Sequence, residues 1–177
     1  LFNKNKTAPQ PWQAIAQRFC SIGIRRKTAM QIIHQHIEEE IINYLMPLKN
    51  EYVEQCLDIK LESGWNDNGE YIVEVWGYHK NEYKPEEKTE FILLRLYINH
   101  QYKQIYIANI FLPDFMKHKG IGKKLIYKIF MISEDVHYGL FIVDMVNSFY
   151  QRMIKRGALP CNECDDAVQI VSETKLF

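Results

Sequence analysis

Two glycines two positions apart, Gly120 and Gly122, lie in the run Lys117-His118-Lys119-Gly120-Ile121-Gly122-Lys123-Lys124-Leu125. The run sits between an apolar strand pattern and an amphipathic helix pattern. Glycines at such a junction remove the β-carbons that would hold a ligand off the backbone. The unpaired N–H groups of a helix's first turn then form a ready anion site. Lys117, Lys119 and Lys123 add positive charge, which suits a polyphosphate better than a lone carboxylate. The same glycines also fit a plain strand-to-helix turn that binds nothing. Two nucleotide motifs fail on spacing: the chain has no G-x-x-x-x-G-K-[ST] and no G-x-G-x-x-G after an early first strand.

Other reactive types are scattered. Cys161 and Cys164 form a single C-x-x-C after Pro160, without the second pair of ligands a structural zinc site needs, and a turn carrying two thiols explains them as well. His34 and His36 are two apart on a helix pattern and point to different sides. No metal site is read from these residues.

The elements that must position the glycine run are legible from periodicity. A short helix is expected over residues 11–20, with Trp12, Ile15, Ala16 and Phe19 on one face. A longer one starts near Thr28, whose spacing to Gln31 is a capping box, and runs to Pro47. Its stripe is Met30, Ile33, Ile37, Ile41, Tyr44 and Leu45. From residue 52 the period becomes two, predicting strands over 52–62, 71–79, 90–99 and 103–112 joined as an antiparallel meander. The fourth is apolar on both faces and is expected to be central and covered on both sides. Helix, strand, helix and strand then follow over 120–132, 140–143, 148–156 and 167–172, with Ser148 and Gln151 at capping-box spacing. The class is α+β, with a mixed, mostly antiparallel sheet, helices on both faces and a helical N-terminal region over residues 1–50 ahead of a core over 51–177.

Composition bounds the function. The 177 residues carry 22 Lys+Arg against 22 Asp+Glu, with 47% hydrophobic residues. That describes one globular domain and argues against a protein whose main work is gripping nucleic-acid backbones, which normally needs a basic face. No apolar run is long enough to span a membrane and no signal peptide is visible, so the expected location is the cytoplasm. The four cysteines fit a reducing compartment.

Residues 105–125, IYIANIFLPDFMKHKGIGKKL, resemble the acetyl-CoA-binding motif of the GNAT N-acyltransferase superfamily, a strand leading into [Q/R]-x-x-G-x-[G/A] and a helix. Lys117 stands at the Q/R position. The strand GLFIVDMV, then Asn147 and the helix SFYQRMIKRGA, are similar to the family's second motif. The likeness covers residues 103–172 and, more loosely, the meander. It implies that the backbone of Ile110, Phe111 and Leu112 holds the pantetheine arm, that the amides from His118 through Lys119, Gly120, Ile121 and Gly122 to Lys123 hold the pyrophosphate, and that Asn147 contacts the CoA arm. It further implies transfer of acetyl from acetyl-CoA to a primary amine by direct attack in a ternary complex. Such transfer needs a neutral amine, a polarised thioester carbonyl and a proton for the departing thiolate.

The family's tyrosine acid falls here on Met153. Tyr150, one turn earlier, is the candidate acid or else a half-buried core residue. For the base, Asp144, Glu90 and Asp114 are available, Asn109 could order a water, and a water chain could serve without a dedicated group. The acceptor, whether small amine, peptide or protein, is not readable. The N-terminal region is expected to wall the acceptor site or to form a cap that mediates dimerisation. A catalytically weak CoA-binding or partner-binding module is the alternative.

Overall fold

The computed structural model describes residues 26–81, 83–84, 86–161 and 166–177, with backbone alone for 26–29. The helix expected over 11–20 and Cys164 lie outside the described residues. Helix α1 (Arg26–Leu45) and a single turn, α2 (Leu48–Glu51), lead into β1 (Asp58–Trp65), β2 (Tyr71–Lys80), β3 (Lys88–Asn99) and β4 (Gln104–Ile110). A 3₁₀ turn (Asp114–Met116) precedes α3 (Ile121–Asp135), then β5 (Gly139–Ile142), α4 (Asn147–Lys155), β6 (Leu159–Pro160) and β7 (Val168–Ile170). The strands form one sheet in the order β1-β2-β3-β4-β5-β7-β6, in which only β4 and β5 run parallel.

Alternation sorts the sheet into two faces. Ile59, Val73, Val75, Leu94, Leu96, Ile98, Ile105, Ile107, Leu140, Ile142, Val168 and Ile170 are buried, and the strand registers align them on one side. Helix α1 adds Ile37, Ile41 and Leu45 to the same cluster, α3 adds Leu125, Ile126 and Ile129, and α4 adds Met153. The other side carries Lys60, Glu62, Glu74, Trp76, Arg95, Tyr97, Tyr106 and Phe141, none of them buried. Arg95 Nε donates to Glu74 Oε1 there at 2.5 Å. Among the described residues the three longer helices therefore gather on one face, where helices were expected on both. Strand β4 is central, as its composition predicts, but only one of its faces is fully buried. No helix among the described residues is long and apolar enough to cross a membrane.

Several boundaries differ from the sequence expectation. Residues 52–57 are not strand: Tyr52 is buried at the end of α2, and a turn through Cys56 at φ 50 follows. Strand β1 instead continues through Gly64 and Trp65, past the expected end at residue 62. Helix α4 starts one residue earlier than expected, with Val146 as N-cap and no side-chain cap, so Ser148 and Gln151 form no capping box; Gln151 Nε2 donates to Asn147 Oδ1 instead. The short strand β6 was not anticipated.

Helix α1 is docked by a polar contact inside an aromatic cluster. His34 Nε2 lies 2.7 Å from His100 Nε2, and His100 Nδ1 lies 2.8 Å from the Tyr138 hydroxyl. The His34 ring stacks on Tyr71 with centroids 3.5 Å apart, while Trp65 meets it edge-on. Tyr71 Oη donates to Glu38 Oε1 at 2.6 Å. Facing ring nitrogens at this distance share one proton and repel if both carry one. Burial, reinforced by His100 and opposed by Glu38, pushes the His34 imidazole down from 6.5 to about 4. The unfolded chain thus takes up a proton near pH 6.5 that the folded chain refuses until about pH 4. Stability is expected to be full above pH 6.5 and to fall towards pH 4, by on the order of 2 kcal/mol. Urea unfolding across that window measures it. His34→Phe, which keeps a ring against Tyr71, is expected to flatten the slope.

Candidate functional site

The site begins with a defect in β4. Leu96 pairs with Ile107 and Arg95 with Asn109, so Ala108 is an extra residue, a bulge. A second bulge faces it on β3, where Val75 pairs with Leu94 and Trp76 with Ile92, leaving Leu93 extra. A bulge leaves backbone groups without ladder partners, and here Asn109 Nδ2 donates to Ile92 O at 2.6 Å. Beyond the bulge, Phe111 N donates to Leu93 O at 3.0 Å. Antiparallel alternation then turns the N–H and C=O of Ile110 away from β3. Strand β5 would pair with that edge, but its ladder ends with Ile142 opposite Ile107, where Val143 N reaches Ile107 O at 3.0 Å. The two parallel strands part there, and the Ile110 backbone faces the gap.

Helix α3 starts at the mouth of this gap. Its N-cap, Gly120, has φ 78 and His118 has φ 61, so two left-handed residues turn the chain into the helix. A β-carbon at Gly120 would meet nothing within 4 Å, so glycine is required there by conformation. At Gly122 a β-carbon would lie 3.6 Å from Ile110 Cγ2 and 3.7 Å from Leu112 Cδ1, so this glycine keeps open the space beside the strand. Lys124 N donates to Gly120 O at 3.0 Å, the first helical bond, which leaves the Ile121, Gly122 and Lys123 amides without helical partners.

Between α3, α4 and the end of β4 lies a cleft of about 480 Å³. Ile110, Phe111 and Leu112 line it from the end of β4 and the residues just after it, Ile121, Gly122, Lys123 and Ile126 from α3, and Val146, Phe149, Arg152, Met153 and Arg156 from α4 and its two caps, with Lys117, His118 and Gly120 at the turn. No carboxylate and no hydroxyl is among these residues. Lys117 Nζ holds Asp114 Oδ1 at 2.6 Å and keeps that carboxyl below the usual carboxylate range. A cleft with four cations, free helix amides and an apolar floor suits a polyanion with an apolar arm.

The residues singled out in sequence divide. Ile110, Leu112, Lys117, His118, Gly120, Ile121, Gly122 and Lys123 converge on the cleft. Phe111 lines it as well, although its N–H is already committed to β3. Lys119 leaves it, with its ammonium 4.5 Å from the centre of the Tyr52 ring. Asn147 is exposed at the first turn of α4 and is not on the cleft wall. Tyr150 is half-buried against the core, one position around the helix from Phe149 and off the wall. Asp144 is exposed in the turn after β5, at φ 54. Asn109, with its amide given to Ile92 O, secures the two bulges. Arg152 and Arg156 were missed; with Phe149 and Met153 they make an i, i+3, i+4, i+7 stripe, the one signal that could have found them. Of the C-x-x-C, Cys161 is half-buried in the turn after β6.

No protein-family model matches the chain, and no curated protein sequence matches it. Among solved structures it is similar to the crystal structure of a putative acetyltransferase from Agrobacterium tumefaciens, with 14% identity over 75% of this chain and 87% of that one, at a TM-score of 0.32.

Gly122→Glu separates site from scaffold. Replacing a helical glycine and adding a carboxylate in the first turn each favour the helix by up to about 1 kcal/mol. The same carboxylate opposes an anion at the free amides. The variant is expected to melt no lower than the parent while its affinity for acetyl-CoA, used as a pyrophosphate-bearing probe, falls at least about tenfold. Calorimetric titration beside thermal melting reads both.

Proposed function

We propose that the chain is a GNAT-type acyltransferase that moves the acetyl group of acetyl-CoA to a primary amine by direct attack in a ternary complex. The observation that carries this is the parting of β4 from β5 beside the free amides of α3. The pantetheine arm would lie along the Ile110 edge, and the pyrophosphate would meet the amides of Ile121, Gly122 and Lys123 together with the Lys117 and Lys123 ammoniums. The amine nitrogen attacks the thioester carbonyl carbon, the carbonyl oxygen takes negative charge, and the C–S bond breaks as it returns. A backbone N–H aimed into a gap, such as that of Ile110, stabilises this oxyanion without having to reorganise. One proton leaves the amine and one joins the thiolate, so no net proton is consumed when the amine arrives neutral and the thiol leaves neutral.

The proton carriers follow from what does and does not line the cleft. Tyr150 and Asp144 stand off its wall, so we assign the transfers to water. Residues 51–177 are the acyltransferase core in this reading, with the region before them forming a wall of the acceptor site or a dimerising cap. The acceptor is a primary amine on a small molecule, a peptide or a protein, and the location is the cytoplasm.

A second reading has a specific observation in its favour. With no hydroxyl or carboxylate on the cleft wall, the chain could bind CoA without turnover. Incubation with acetyl-CoA and a panel of amines, followed by free-thiol detection, distinguishes the two. Amine-dependent thiol release is expected; tight binding without release would leave only the binding module. Tyr150→Phe is expected to lower kcat less than about tenfold, below the 10²–10⁴ that a positioned acid contributes.

A further inference from the structure

CoA carries two separate anionic groups, a pyrophosphate and a 3′-phosphomonoester. The free amides of α3 serve one. Lys123 stands in that same first turn, and Lys117 is already held by Asp114 at 2.6 Å. The remaining cations on the cleft wall are Arg152 and Arg156, one helical turn apart on α4. Neither has a carboxylate partner among the described residues. Both are held from behind through backbone carbonyls, which leaves further N–H groups of each guanidinium uncommitted. Arg152 Nε donates to Ser148 O at 3.1 Å, and its guanidinium carbon lies 5.7 Å from the Phe149 ring centre. Arg156 Nη1 donates to Lys175 O at 2.9 Å, while Lys175 N donates to Arg156 O at 2.7 Å. A guanidinium oriented in this way loses little freedom on meeting a phosphate and offers it paired N–H donors, as an ammonium does not.

Resting on the acetyl-CoA reading above, we infer that Arg152 and Arg156 form a second phosphate subsite on α4 that makes the cleft select the 3′-phosphorylated nucleotide over its dephosphorylated form. The two arginines set cofactor specificity and take no part in the acyl transfer.

The experiment is calorimetric titration of acetyl-CoA and of acetyl-dephospho-CoA, at one fixed salt concentration, into the parent chain and into Arg152→Gln and Arg152→Gln/Arg156→Gln. The parent is expected to prefer the 3′-phosphorylated ligand by about tenfold or more, as charge-assisted contacts warrant. The double variant should bind the two ligands about equally, having lost at least about tenfold more affinity for the 3′-phosphorylated one than for the dephosphorylated one. Because Arg156 also holds the C-terminal segment, melting temperatures are measured alongside. If the double variant does not fold, Arg152→Gln alone must reduce the preference by at least about threefold. A parent preference near one, or a preference that survives the substitutions in a folded chain, overturns the inference and leaves the acetyl-CoA reading intact. Failure of the parent to bind either ligand overturns that reading, and this inference with it.

Discussion

The site depends on where the ladder between β4 and β5 stops. Parallel neighbours normally share hydrogen bonds to the end of the shorter strand and are then covered by the helices that join them. Here β5 ends at Ile142 while β4 runs on to Ile110, and the extra residue Ala108 has already bent β4 away. An edge opened inside a sheet leaves backbone groups that must find partners elsewhere. On the β3 side they are met within the chain, through Phe111 N to Leu93 O and Asn109 Nδ2 to Ile92 O. On the β5 side the Ile110 groups are turned to the gap. One sheet edge is therefore stabilised by the fold and the other presented for use.

Charge follows the same division. The chain is neutral overall, yet its cleft holds cations and no carboxylate. The acidic residues are placed elsewhere, for example Glu74 with Arg95 on the open sheet face and Glu40 with Lys128 between α1 and α3. A neutral protein can thus hold a local positive field where field lines converge in a concave, partly apolar site. A balanced net charge argues against a nucleic-acid grip by the protein as a whole and says nothing about one cleft.

Local signals were legible in the sequence and non-local ones were not. The glycine pair, the lysines around it and the apolar pattern of β4 are properties of neighbouring residues, and the cleft is built around them. The bulges at Leu93 and Ala108 have no composition of their own; they exist because two adjacent strands shift register together. Lys119 reads as one more loop cation until Tyr52, remote in sequence, supplies a ring beneath its ammonium. Tyr52 itself reads as strand because it opens a run of β-forming residues, but burial at the end of α2 overrides that preference. Arg152 and Arg156 read as solvated helix charges, since nothing local tells that α3 stands across from them. Periodicity placed Tyr150 near the face of Met153, and both Phe149 and Tyr150 pack against the core, but the roughly 100° between consecutive helix positions leaves only Phe149 on the cleft wall.

No described residue of α1 lines the cleft, yet the helix bears on the start of α3. Tyr44 Oη donates to Ile121 O at 3.2 Å, and Lys128 of α3 pairs with Glu40 of α1. A helix N-terminus binds an anion well only if its amides are already aimed, since ordering them on binding would subtract from affinity. Tyr44 fixes the first residue of α3 from the side away from the cleft, and Glu40 holds the helix about two turns further on. At its other end α1 is held by His34 against His100 and Tyr71. The histidine pair, α1, Tyr44 and the Ile121 backbone are thus a continuous chain of contacts from the β3–β4 turn at one end of the sheet to the first turn of α3. Docked through Ile37, Ile41 and Leu45 in the common core, α1 thus braces the start of α3 by Tyr44 and its third turn by Glu40.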